Sequence, residues 1–161
     1  MAISGGMISN PKRSVTVDME INALKKRVKS LYKVYTSIDI SYAGNIEDDF
    51  TNTFQYKVKE GGLSMGANAV ITLKKESDNS TTIEVEMQRV IGSYDTDIEV
   101  SNANAQLTAI FNSLSILAQK TDDEVDNLSV GEIGEINTGL GTTGTVISIV
   151  LMIIGLIWLF S

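Results

Sequence analysis

Apolar and polar residues alternate along the middle of this chain, and the period changes on either side of it. Ser14–Asp18 alternates with Val15 and Val17 on one face, which predicts a short strand. Ile21, Leu24, Val28, Leu31 and Tyr35 then fall at steps of three and four. That spacing predicts a single amphipathic helix over Met19–Tyr35, with Asp18 as its N-cap. Alternation returns at Ile38–Tyr42 and at Phe50–Lys59, where Phe54, Tyr56 and Val58 oppose Gln55, Lys57 and Lys59. It continues at Ala67–Lys75 with Ala69, Ile71 and Leu73 on one side. The SDNS cluster at Ser77–Ser80 predicts a turn between adjacent strands. Thr81–Val90 is the clearest strand, with Ile83, Val85 and Met87 on one face and Glu84, Glu86 and Gln88 on the other. Ser93–Val100 reads as a continuation of the sheet. Ser101 then caps a second helix, Asn102–Gln119, with a stripe of Leu107, Ile110, Phe111, Leu114, Leu117 and Ala118.

The predicted order is β-α-β-β-β-β-(β)-α, without an internal repeat. Hairpin-linked strands are antiparallel, and both helices must share one sheet face. The expected class is therefore α+β, an antiparallel sheet of about five to six strands packed on two helices.

The C-terminal end obeys neither period. No charged residue occurs from Ile136 to Ser161, and Val146–Phe160 is apolar apart from Ser148 and Gly155. Fifteen residues of helix reach about 22 Å, short of a bilayer core, and adding Leu140–Thr145 brings the length to about 32 Å. A segment apolar on every face, with Trp158 near its end, predicts a transmembrane helix. The start of the chain lacks an apolar stretch of signal-peptide length, and only Ser161 follows the run. The expected arrangement is a single-pass tail anchor with the N-terminal domain in the cytosol and the lipid bilayer as partner. Gly141, Ser148 and Gly155 recur at seven-residue steps, which makes them the candidate interface for self-association of that helix into a homo-oligomer.

Charge divides the chain in the same way. Net charge is −7, yet all 13 Lys and Arg lie at or before Lys120. Beyond it come Asp122, Asp123, Glu124, Asp126, Glu132 and Glu135 with no base. Residues 1–120 are read as a near-neutral soluble domain, 121–144 as an acidic Gly- and Thr-containing tether with at most a helical turn, and 145–161 as the anchor. Seven bases (Lys12, Arg13, Lys25, Lys26, Arg27, Lys29 and Lys33) face only Asp18 and Glu20 between residues 12 and 33. Such a run is either a solvated helix face or a surface for anionic headgroups. The domain as a whole is not basic, which argues against nucleic acid as a partner.

Chemistry is sparse. There is no Cys and no His, which removes thiolate nucleophiles, zinc-thiolate sites and the commonest general base. Gly62-Leu63-Ser64-Met65-Gly66 matches the nucleophile-elbow pattern but has no base to serve it. Gly139–Gly144 matches G-x-G-x-x-G but opens an apolar terminal segment rather than a βαβ unit. Asp95-Thr96-Asp97-Ile98-Glu99 resembles the start of a calcium loop, but Val100 and Gln106 stand where Gly and Glu belong. No catalytic residue, metal site or cofactor is expected.

The order of elements resembles the START-like, helix-grip (SRPBCC-type) superfamily. So do Gly62–Gly66 followed by ANAVITL and the stretch TTIEVEMQR, which are similar to the middle strands of small bacterial members. The resemblance covers roughly residues 12–119 and implies a curved antiparallel sheet around a C-terminal helix, with the gap between them taking a lipid or other apolar ligand. Phe54, Tyr56, Ile71, Ile83, Val85, Met87, Leu107, Phe111 and Leu114 would line that gap, or else fill it as a core. Many members carry two short helices after the first strand, where one longer helix is read here. The expected function is non-enzymatic: a tail-anchored protein whose domain binds an apolar ligand near the bilayer, or an interaction module that oligomerises through its tail.

Overall fold

The computed structural model describes residues 9–34, 40–47, 51–59, 66–90 and 97–130. Five strands, β1 (Lys12–Val17), β2 (Ile40–Glu47), β3 (Thr51–Val58), β4 (Ala67–Ser77) and β5 (Ser80–Arg89), form one sheet in the order β1-β5-β4-β3-β2. Every neighbouring pair is antiparallel. The helices are α1 (Ile21–Lys29), α2 (Leu31–Val34), α3 (Asp97–Ala118) and α4 (Asp122–Asp126). This is the expected α+β arrangement, consistent with a helix grip.

Alternation places one face of each strand inward. Ala67, Ala69, Ile71 and Leu73 of β4 are buried, as are Ile83, Val85 and Met87 of β5. The opposite face stays polar and is cross-linked by side chains: Thr16 and Thr82 hydroxyls meet at 2.8 Å, and Lys12 pairs with Glu84 at 2.9 Å. A half-solvated antiparallel sheet has this pattern. Ser77 pairs with Ser80 across the tight turn at Asp78 and Asn79, and Lys75 Nζ donates to Asp78 at 2.7 Å. Gly66 enters β4 at φ +82°, and a Cβ there would lie 2.4 Å from the Val58 carbonyl oxygen. Only glycine fits.

Six expectations change. The single helix over Met19–Tyr35 is two helices: the chain turns at Ser30, whose N–H reaches both Lys26 and Arg27 carbonyls. The apolar step pattern survives the break because Leu24, Val28, Leu31 and Val34 all remain buried. Asp18 is not the cap; Glu20 holds the N-cap position without a side-chain cap bond. Residues 97–100, read as strand, form the first turn of α3, where Asp97 and Glu99 suit the positive end of the helix. Ser101 consequently lies inside that helix, and the apolar Ile98 that suggested alternation is 72% exposed.

The other two differences are extensions of the fold. β2 runs to Glu47 rather than ending at Tyr42, through an irregularity between Tyr42 and Gly44. Such a bulge resets the face and hides the strand from a simple alternation count. Past Lys120, the chain continues as α4 instead of leaving as a tether. Val125 is fully buried and Leu128 nearly so, both within the core cluster.

No helix among the described residues is long and apolar enough to cross a membrane. The apolar run Val146–Phe160, with Gly141, Ser148 and Gly155, lies outside the described residues.

Candidate functional site

Strand register arranges the inward face in rows. Phe54, Ile71 and Val85 lie side by side across β3, β4 and β5, and the row ends at Arg13 of β1. Tyr56, Ala69 and Met87 form the next row, and Val58, Ala67 and Arg89 the one after. Helices α1 and α3 cover these rows, with α3 packed chiefly on β5.

Of the nine residues expected to line a gap, eight are buried here: Phe54, Tyr56, Ile71, Ile83, Val85, Met87, Leu107 and Leu114. They share a single core cluster with Leu24, Val28 and Leu31 of the first two helices. Phe111, the ninth, packs on the edge of that cluster, with the Arg13 guanidinium carbon 5.6 Å from its ring centroid. The Tyr56 hydroxyl donates to the Val28 carbonyl at 2.6 Å, tying the sheet to the end of α1. Its burial, more than its neighbours Tyr42 and Tyr32, pushes the phenol pKa well above the ordinary value. This hydroxyl is a fixed structural donor rather than an acid.

Where the third row meets α3, a recess of about 10 Å3 opens between Gly66, Ala67, Arg89, Val90, Glu99, Ala103 and Gln106. That is room for about one water molecule. Its lining is polar as well as apolar: Arg89 and Gln106 are both buried. Neither was expected from periodicity, although Arg89 follows Met87 at the strand's own step of two.

A second constellation sits on α1. Arg27 is nearly buried, and its guanidinium donates to the carbonyls of Ala23 (2.8 Å), Lys120 (2.7 Å) and Leu117 (3.2 Å) and to Asp122 Oδ1 (2.8 Å). Lys26 Nζ pairs with Asp126 at 2.6 Å. Lys33 Nζ reaches the Val125 and Asp126 carbonyls, each at 3.4 Å. Thus three of the seven bases in the basic run are engaged by residues 117–126. A fourth, Lys12, pairs with Glu84, and Lys29 Nζ lies 5.9 Å from the Phe54 ring centroid. The sequence did carry a signal for this contact. Thr121-Asp122-Asp123-Glu124 has the capping-box spacing, and the box is made: Glu124 N–H donates to the Thr121 hydroxyl, and Thr121 N–H donates to Glu124 Oε2 at 2.7 Å. The Thr121 N–H foremost, and then the Thr121 hydroxyl, which also donates to Glu124 Oε2 at 2.9 Å, hold the Glu124 carboxyl below its usual range.

The other motifs contribute little to a site. Ser64 and its neighbours Gly62, Leu63 and Met65 lie outside the described residues, as do Asp95 and Gly139–Gly144. Asp97 and Glu99 are on α3 rather than on a strand, and no group of acidic residues fit to hold a metal occurs among the described residues.

No family model matches the chain, and no curated protein matches it either. Solved structures do resemble it in outline. A conserved protein from Geobacillus kaustophilus is 13% identical, with 73% of this chain and 95% of that one covered and a TM-score of 0.47. A START superfamily protein from Mycobacterium smegmatis is 8% identical, covering 76% of this chain and all of that one at a TM-score of 0.42. The di-domain ARO/CYC StfQ from the steffimycin biosynthetic pathway is 12% identical, covering 65% of this chain and 43% of that one at a TM-score of 0.35.

Proposed function

We propose that this chain is a tail-anchored, single-pass membrane protein whose α+β domain serves in the cytosol as a non-catalytic binding module held close to the bilayer. The carrying observation is the α4 contact. Because Val125 and Leu128 are buried in the domain, nine residues, 131–139, lie in sequence between the described part and a spanning helix that takes in Leu140–Thr145. Fully extended, they would reach about 30 Å. A longer tether beginning at residue 121 would have let the domain roam; this one keeps it near headgroups. Self-association of the tail through Gly141, Ser148 and Gly155 would multiply the binding surface, and Gly155→Leu should weaken crosslinking in membranes if that stripe is the contact.

The anchor is tested by flotation. The full chain should rise with phosphatidylcholine vesicles, and a chain ending at Thr145 should stay at the bottom. Equal flotation of both would overturn the proposal.

A second reading keeps the apolar ligand, between the sheet and α3, against Phe54, Tyr56, Ile71, Ile83, Val85, Met87, Leu107, Phe111 and Leu114. Its support is the recess at Arg89 and Gln106, which places polar side chains at the end of an otherwise apolar interior. Ligand pockets of about 300 Å3 or more are usual for small molecules, so a lipid enters here only if α3 lifts from β5. Native mass spectrometry of the detergent-purified chain checks this. A bound apolar species retained through exchange supports the second reading, and the bare polypeptide mass alone rejects it.

A further inference from the structure

Lys26, Arg27 and Lys33 all meet the segment that follows α3, but not in the same way. Arg27 belongs to the interior: its side chain is 7% exposed and three of its four acceptors are backbone carbonyls. Lys26 and Lys33 hold the outer side of α4, where Asp126 is 61% exposed. We propose that α4 is a displaceable cover over an anion-binding face of α1 and α2, centred on Lys26 and Lys33 with Lys25 beside them. The competing surface is the anionic phospholipid of the bilayer that holds the tail. This rests on the anchor proposed above.

Three features carry the inference. Charge is complementary: the first acids of the base-free end of the chain, Asp122 to Asp126, lie against the most basic stretch of the domain. Position is right, because the covered face adjoins α4, whose last residue, Asp126, lies 20 residues before Val146 in sequence. The outer contacts are also exchangeable: the exposed Lys26–Asp126 pair is weakened by salt and by competing ions, and Lys33 holds two carbonyls only at the long distance of 3.4 Å. Val125 of α4 and Leu128 just past it, both buried, make the covered state the resting one. While the cover is on, Asp123, Glu124 and Asp126 turn an anionic surface away. When their charge is neutralised, Lys26 loses its carboxylate partner, the repulsion around Lys33 falls, and both gain phosphate partners instead.

The test uses the full chain with phosphatidylcholine vesicles and with vesicles that also contain phosphatidylglycerol. Acetylation rates of Lys26 and Lys33 are read by mass spectrometry. In the natural sequence both lysines should label alike on the two vesicle types. In Asp123→Asn/Asp126→Asn they should label more slowly on anionic vesicles only, by about fivefold for each base that reaches headgroups. Adding about 0.5 M salt should abolish the difference. Equal labelling of the variant on both vesicles overturns the proposal, and so does protection of the natural chain on anionic vesicles, since the face would then be uncovered already. Far-ultraviolet circular dichroism of the variant confirms that the exposed substitutions leave the fold intact. Failure of the anchor shows up separately, as a chain that does not float with phosphatidylcholine. The lysine comparison then proceeds with vesicles in excess.

Discussion

The sheet and α3 on one side, and α1 with α4 on the other, are held together by different forces. Between β3, β4, β5 and α3 the contact is apolar: Phe54, Ile71, Val85, Met87, Leu107 and Ile110 are buried with almost no polar partner. Where α1 and α2 meet α4 and the residues just past it, Val125 and Leu128 bring apolar area, and Arg27, Lys26 and Lys33 supply directed bonds to carbonyls and carboxylates. The first contact is strong and undirected, scaling with area. The second is weaker and geometrically specified. The first therefore carries most of the domain's stability, and the second fixes the position of α4 against the first two helices.

The largest effect should come from the apolar side. Ile71→Ala empties volume in a fully buried position and should cost about 2–5 kcal/mol, with Leu107→Ala in the same range. Urea unfolding of the full chain in detergent reads this as a lower midpoint at unchanged slope. A cost below that range at both sites would mean that the sheet–helix interior is less filled than described, and would favour the apolar-ligand reading.

Arg27→Met comes next. It keeps most of the volume but leaves the carbonyls of Leu117 and Lys120 without their donor and the half-exposed Asp122 carboxylate to water, and it should cost about 2–3 kcal/mol. The sharper readout is local. Hydrogen exchange at Val125 and Asn127, whose N–H groups bond to Thr121 and Asp123 carbonyls, should accelerate more than exchange in β4 or β5. Uniform acceleration would make Arg27 a part of the global core rather than a clasp for α4.

These two contacts were not equally legible from residues alone. The inner rows follow from a period of two and the α3 stripe from a period near 3.6, so Phe54, Ile71, Val85 and Leu107 were readable as one apolar interior. Periodicity reports which residues share a face and is silent on the bonds between two distant charged segments. Arg27 therefore looked like one more base on a solvated face, although its burial and its four acceptors make it structural. The break at Ser30 was invisible for a related reason: a one-residue turn that preserves the buried face leaves the step pattern intact. Asp97–Val100 misled in the opposite direction, because four residues of alternation are too few to separate a strand from a first helical turn.

The capping box allows a smaller cut at the same contact. Thr121→Ala removes the acceptor for the Glu124 N–H and should cost about 1 kcal/mol, confined to α4. Acid should act on the same box. The Glu124 carboxyl is held below its ordinary 4.5, so its contribution is present above that value and is lost as pH falls through the depressed folded value. Exchange at Val125 should therefore rise in that acid range while β5 stays protected. In Thr121→Ala the step should shrink without vanishing, because the residue-121 N–H still donates to the carboxylate, and in Glu124→Gln it should disappear. A step that survives Glu124→Gln would assign it to another carboxylate.

The smallest expected effect discriminates best between holding and covering. Lys26→Gln removes an ion pair whose partner is 61% exposed, and such pairs contribute under about 1 kcal/mol. Global stability should hardly move, because Arg27 and Val125 keep α4 in place. Measured at low and at high salt, the natural chain should lose a little α4 protection as ionic strength rises, and Lys26→Gln should already sit at the high-salt level. Were Lys26→Gln to match Arg27→Met in its effect on α4, the distinction between an interior clasp and an exchangeable outer pair would vanish. The two adjacent bases would then act as one unit, and α4 would be fixed to the domain rather than laid over it.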